Sequence, residues 1–318
     1  MKAKIGTRMA YLLILMTLVC GSAAALDMLT QPFDLAGERA PEERYYHMET
    51  KVLQYALDGK RTGTDVYHLK LKCVPAVLSG KDSDVYTCQE ITMQKQGAVP
   101  VTVPALANWS YLFTPNAEGI DEKGQLFSID HSKFENLVDS SGNPLTPDTA
   151  YMVYNTFIDF HSFCDVFARP PRDGAGIQDL KTVGQKIVHA AAFSKVPVNL
   201  GSNVDEGSYF TNGEITLEFK GLSRVDGKTC AIVAFDSGES SFNMRLQPMP
   251  GMNIETMGSS HYFGDIYIDM ESKWVQKAHM AEFVVTEVRL PMPPNKLNTV
   301  IERDVTIWAV NQAEVEMD

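Results

Sequence analysis

Alternation of apolar and polar residues dominates this chain. Tyr67, Leu69, Leu71 and Cys73 alternate with His68, Lys70 and Lys72, the period-two pattern of a strand with one buried face. Val85 to Met93 is the expected partner, across a turn signalled by Ser79-Gly80-Lys81-Asp82. Further along, Gly213 to Phe219 leads through Val225-Asp226-Gly227-Lys228 into Thr229 to Phe235. Asp-Gly between two such runs is a favoured hairpin turn. Gly264 to Asp269 with Trp274 to Ala278 predicts another hairpin, and Glu282 to Leu290 and Val300 to Val310 continue in the same style.

One stretch breaks this rhythm. Thr146-Pro147-Asp148 supplies an N-cap hydroxyl, a proline at the first helical position and a carboxylate in the first turn. Pro170-Pro171 supplies a stop. The spacing predicts one long helix from Pro147 to about Ala168. At 100° per residue, Ala150, Val153, Tyr154, Phe157, His161, Cys164 and Ala168 share a face. Phe160, Phe163 and Phe167 widen it, and Asn155, Asp159 and Ser162 form a polar stripe expected to face solvent. Ser132 and Glu135 predict a capping box for a shorter helix.

These elements predict an α+β fold, a predominantly antiparallel β-sheet with one long central helix at about 147–168 packed on it. The expected organisation is a leader over 1–25, an irregular arm over 26–44, and N-terminal hairpins plus the helix over 45–168. A linker containing Pro and Gly over 169–184 and a C-terminal antiparallel region over 185–318 follow, the latter continuous with 45–168 if the sheet is shared.

The first 25 residues change the picture of where the chain goes. Lys2, Lys4 and Arg8 precede an apolar run from Ala10 to Cys20, and Ala23-Ala24-Ala25 offers a small-residue cleavage site. That order predicts a signal peptide cleaved after Ala25 and an exported, periplasmic or extracellular protein. The run is shorter than the roughly 20 residues a membrane-spanning helix needs. No later run reaches that length, so no transmembrane segment is expected in the mature chain. Cleavage removes three basic residues and takes the formal charge from −12 to −15, which opposes binding to nucleic acid.

Four cysteines then remain, Cys73, Cys88, Cys164 and Cys230. In an oxidising compartment an even count allows two disulfides. A hairpin centred on Gly80-Lys81 would set Cys73 opposite Cys88, the expected pair. Cys164 and Cys230 would be either a second pair or two buried thiols.

The densest chemistry lies on the predicted helix, where Asp159, His161, Cys164 and Asp165 fall close together. His161 sits in an apolar seam with Asp165 at i+4, the setting of a core imidazole hydrogen-bonded to a carboxylate. His161, Cys164 and Asp165 have no recognised metal-ligand spacing, so neither metal nor cofactor is expected. No H-E-x-x-H, G-x-S-x-G, C-x-x-C or phosphate-binding glycine loop occurs. Ser259-Ser260-His261 reads as a loop or the start of a strand.

The sequence therefore points to an exported, non-catalytic envelope or secreted protein that binds a lipid-like hydrophobic ligand or an envelope protein partner. Tyr154, Phe157, Phe160, His161, Phe163 and Phe167 are the candidate ligand-lining residues. The alternatives are a secreted hydrolase with a scattered site involving His161, His261 or His279, and a structural component of an envelope assembly.

Overall fold

The computed structural model describes residues 32–78, 81–113, 127–198, 207–249 and 252–312. The leader and its cleavage site lie outside the described residues. An arm without regular structure leads to β1 (Arg44–Tyr55), and β2 (Arg61–Leu78) and β3 (Lys81–Gln94) continue as a meander. The short β4 (Val101–Thr102) and β5 (Ser110–Phe113) both pair with β3. Next comes α1 (Pro147–His161), extended by one π-helical turn (Ser162–Val166). Then follow β6 (Lys186–Val188), β7 (Lys195–Pro197) and β8 (Tyr209–Thr211). The long strands β9 (Thr216–Val225), β10 (Lys228–Asp236) and β11 (Ser240–Met249) precede β12 (Met252–Asp269), β13 (Val275–Arg289) and β14 (Lys296–Val310).

Among the described residues, all fourteen strands belong to one antiparallel sheet, with the path β4-β3-β2-β1-β14-β13-β12-β10-β9-β6. The first long strand pairs with the last, from Tyr45 against Val310 to Tyr55 against Val300. One edge of β12 is shared: its first half pairs with β11 and its second with β10. On its other edge, Gly264 permits close approach of β13, since a Cβ would lie 1.9 Å from the carbonyl oxygen of His279. The sheet thus forks at β12 while remaining continuous through β13 and β14.

This architecture corrects the expected α+β class. Among the described residues strand makes up 53% and α1 with its π turn is the one long helix, so the described fold is a β-sheet protein holding a single long helix. The reason is strand length. Gly264 to Asp269 is only the end of an 18-residue strand, and Trp274 to Ala278 and Glu282 to Leu290 mostly merge into β13. Ser259-Ser260-His261, expected as a loop or strand start, lies inside β12. The capping box expected at Ser132 is also displaced. Asp130 caps a 3-10 turn over His131–Phe134, accepting from the Ser132 amide.

The helix begins as its sequence dictates, with Thr146 capping the Thr149 amide and Pro147 at N1. It ends differently, because the α-helical turn widens at Ser162 before Phe167. Both arms of the sheet reach it. Phe160 packs edge-on against Tyr46 of β1 and Tyr86 of β3, while Phe163 stacks on Phe235 of β10 at 5.0 Å. Full burial of such an aromatic side chain contributes about 1.5–3 kcal/mol. The sheet curls around α1, and the core lies between them.

The β2–β3 hairpin forms, but the expected disulfide does not. Leu78 pairs with Lys81, so Cys73 faces Tyr86, and Cys88 faces Leu71 beside a bulge at Lys70/Leu71. Diagonal same-face neighbours have Cα atoms about 7–8 Å apart, beyond the roughly 7 Å that a disulfide tolerates. Cys73, Cys88, Cys164 and Cys230 are all buried free thiols. Burial pushes the Cys73 and Cys88 thiols up to about 12.

Candidate functional site

The helix separates two environments. On the side toward β3 and β5, His161 is fully buried and both ring nitrogens are engaged. Nδ1 lies 2.7 Å from Asp165 Oδ2, and Nε2 lies 2.7 Å from the Tyr111 hydroxyl. An ionised Asp165 can only accept, so Nδ1–H donates to it and Nε2 accepts from Tyr111. Tyr86 donates to the same carboxylate, at 2.8 Å. Arg39, from the N-terminal arm, donates to Asp165 Oδ1 at 2.9 Å and to the Cys164 carbonyl oxygen. Arg169 and Asp84 complete the group.

Burial works to raise the Asp165 carboxyl, but Arg39, His161 and Tyr86 together hold it below the usual range. Two arginines and two aspartates balance in charge. This cluster pins the arm to the core: Arg39 lies 4.3 Å over the Trp274 ring, whose indole N–H donates to the Ala40 carbonyl at 2.9 Å. Tyr86, Tyr111, His161 and Asp165 are all buried within it.

The opposite side of the helix is different. Asn155, Asp159 and Ser162 line a cavity of about 220 Å³ between α1 and the strands β12, β13 and β14. The expectation that this stripe faces solvent is overturned, since Asp159 is only 8% exposed. The curled sheet brings a third layer over what a two-layer packing would leave outside. Phe163, Phe167, Phe210, Ile158 and Val166 supply apolar wall, and Arg303, Asp159 and Glu282 form a charged pole.

Glu282 and Arg303 are direct cross-strand partners on β13 and β14. Arg303 Nη1 donates to Glu282 Oε2 at 2.6 Å, and Nη2 donates to Asp159 Oδ2. With its amide oxygen turned toward the guanidinium, Asn155 accepts from Nη1 at 2.9 Å and Nη2 at 3.1 Å. Ser260 donates to the other Glu282 oxygen at 2.6 Å. Burial pushes Asp159 up to about 7; Arg303 offsets part of this and Glu282 adds to it. The contrast with Asp165 is one of partners. Asp165 has two arginines nearby, whereas Asp159 shares one with a second carboxylate.

The structure divides the six candidate lining residues. Tyr154, Phe163 and Phe167 line the cavity, while Phe157, Phe160 and His161 are absent from its wall and are fully buried. A second cavity of about 600 Å³ lies at the helix N-terminus, lined by Phe134, Leu145, Met244, Leu246, Ile254 and Val288 among others. Tyr151 and Tyr154 line both cavities. Sequence reading missed Arg303 and Glu282. Their signal is strand parity: Arg303 shares a face with Val305 and Ile307, and Glu282 with Ala278 and Met280, all buried. His261 and His279 lie far from such a setting, each beside an exposed carboxylate, Asp236 and Asp304.

No group of three or more metal-ligating side chains exists among the described residues. No helix among them is long and apolar enough to cross a membrane. No protein-family model matches the chain, and no curated protein matches it. Among solved structures, a mutant porin of Rh. blastica shares 7% identity over 85% of this chain and all of its own, with a TM-score of 0.21. A structure titled "Asymmetric conductivity of engineered proteins" gives 7% identity at the same coverage and a TM-score of 0.17. Overlaps this low carry no argument about fold or role.

Proposed function

We propose that the protein is an exported, non-catalytic binding protein that holds a small hydrophobic ligand between α1 and the curled sheet. The observation that carries this reading is the cavity of about 220 Å³ beside the helix, walled by Phe163, Phe167, Phe210 and Ile158 and closed by one polar pole. Ligand sites are mostly apolar concavities with a few placed polar groups that set orientation. The larger cavity beyond Tyr151 and Tyr154 supplies room for a longer chain. A hydrolytic reading through His161 has no support in the geometry, because both ring nitrogens are committed within the core.

Native mass spectrometry of the protein purified from its own host tests the proposal, together with displacement of an environment-sensitive apolar dye. A bound apolar molecule near one per chain is expected, and Val166→Trp should fill the cavity and abolish its capture. Failure of the protein to retain or bind any apolar compound would overturn the reading.

A further inference from the structure

The charged pole of the cavity has a chemistry of its own. Three charged residues line the cavity among the described residues: one arginine and two carboxylates. With all three ionised, the pole carries one uncompensated negative charge. The terminal nitrogens of Arg303 are already taken by Glu282, Asp159 and Asn155. Its Nε is enclosed without accessible surface, so a ligand cannot reach it. An anionic headgroup would find no free cation here. Asp159 is the open member: Arg303 engages its Oδ2, and its other oxygen accepts from no described residue.

We propose that the ligand of this cavity carries a protonated amine on an aliphatic chain, with the nitrogen seated on the Asp159 carboxylate. The inference rests on the reading of the cavity as a ligand site and adds the chemical class of the headgroup. A cation supplies the missing charge and donates to the free carboxylate oxygen, an interaction of the charge-assisted type. The chain lies along Ile158, Phe163 and Phe167. The groups facing Asp159 are Arg303 from β14, Glu282 from β13, Tyr262 from β12 and Tyr151 from its own helix. Burial raises both tyrosines, which stay neutral hydroxyls. Asp159, pushed up to about 7, is therefore the group that titrates between pH 5 and 8.

Octylamine, octanol and octanoate, of matched chain length, distinguish the alternatives by dye displacement on the full-length protein. At pH 8 octylamine should bind about tenfold tighter than octanol, and octanoate should bind weakest. The amine preference should shrink as pH falls below about 7 and Asp159 takes up a proton. It should disappear in Asp159→Asn, while octanol binding persists. The pH series on the unaltered protein gives the answer even if that variant folds poorly. Tightest binding by octanoate, or an amine preference that survives both low pH and Asp159→Asn, would overturn the proposal. Equal binding of all three would overturn the headgroup assignment and leave the cavity reading standing. Binding of none would overturn both.

Discussion

Replacing Arg303 with methionine removes the one cation that the described residues place between Asp159 and Glu282, while keeping most of the side-chain volume. The two carboxylates would then face each other in a site from which bulk water is largely excluded. Breaking a buried pair by removing one partner costs about 3–5 kcal/mol, and that range is the expected loss at pH 8. The pH dependence follows from the direction of the Asp159 shift. Its carboxyl is raised from 3.8 to about 7 in the folded protein. Such a group stabilises fully below its unfolded pKa, and its contribution is lost as pH rises through the folded value. Arg303 opposes the shift, so its removal raises Asp159 further. At pH 5 Asp159 is protonated and the repulsion is relieved, so the loss should shrink by at least about 1.4 kcal/mol, the equivalent of one pKa unit. Urea unfolding at pH 5 and pH 8 measures both values. A loss below about 1 kcal/mol, or the same loss at both pH values, would refute the reasoning. Replacing Asp159 and Glu282 by amides in the same chain should restore much of what Arg303→Met loses.

His161→Ala should cost about 2–4 kcal/mol, because it empties a packed site and removes a hydrogen bond from the buried Asp165; denaturant melts check this. The thiols of Cys73, Cys88, Cys164 and Cys230 should react with a thiol reagent on denaturation and only slowly in the native protein, and recovery of a Cys73–Cys88 disulfide peptide would show the strand register to be wrong. Gly264→Ala should destabilise by about 1–3 kcal/mol, since its Cβ would meet backbone rather than a movable side chain; a thermal melt indistinguishable from the parent's would contradict the close β12–β13 approach.

Much of the local structure was written in the chain. The cap at Thr146, the Asp226-Gly227 turn and the inward parity of Tyr67, Leu69 and Leu71 all follow from short-range rules. Their physics is local, so a single sequence carries it. The Cys73 register was not legible, because the turn placement and a one-residue bulge are settled by packing along the whole hairpin. Asp159 was misplaced for a different reason. A helical wheel assigns faces but cannot say how many layers surround the helix, and here both arms of the sheet curl over it. Arg303 and Glu282 were legible in principle, as opposite charges at inward parity on neighbouring strands. Recognising them required knowing that those two strands are neighbours.

The pairing of β1 with β14 sets a schedule for folding. Tyr45 meets Val310 and Tyr55 meets Val300, so the middle of the sheet is made from the two extremes of the chain. The β1–β2–β3 meander can form as soon as it exists, but β1 keeps one bare edge until residues near 310 arrive. Pairings this distant make loop closure expensive and folding slow. An unfinished chain also presents that edge as a template for other strands. Truncation before β14 would thus leave an unsealed sheet, with the helix still lacking Arg303.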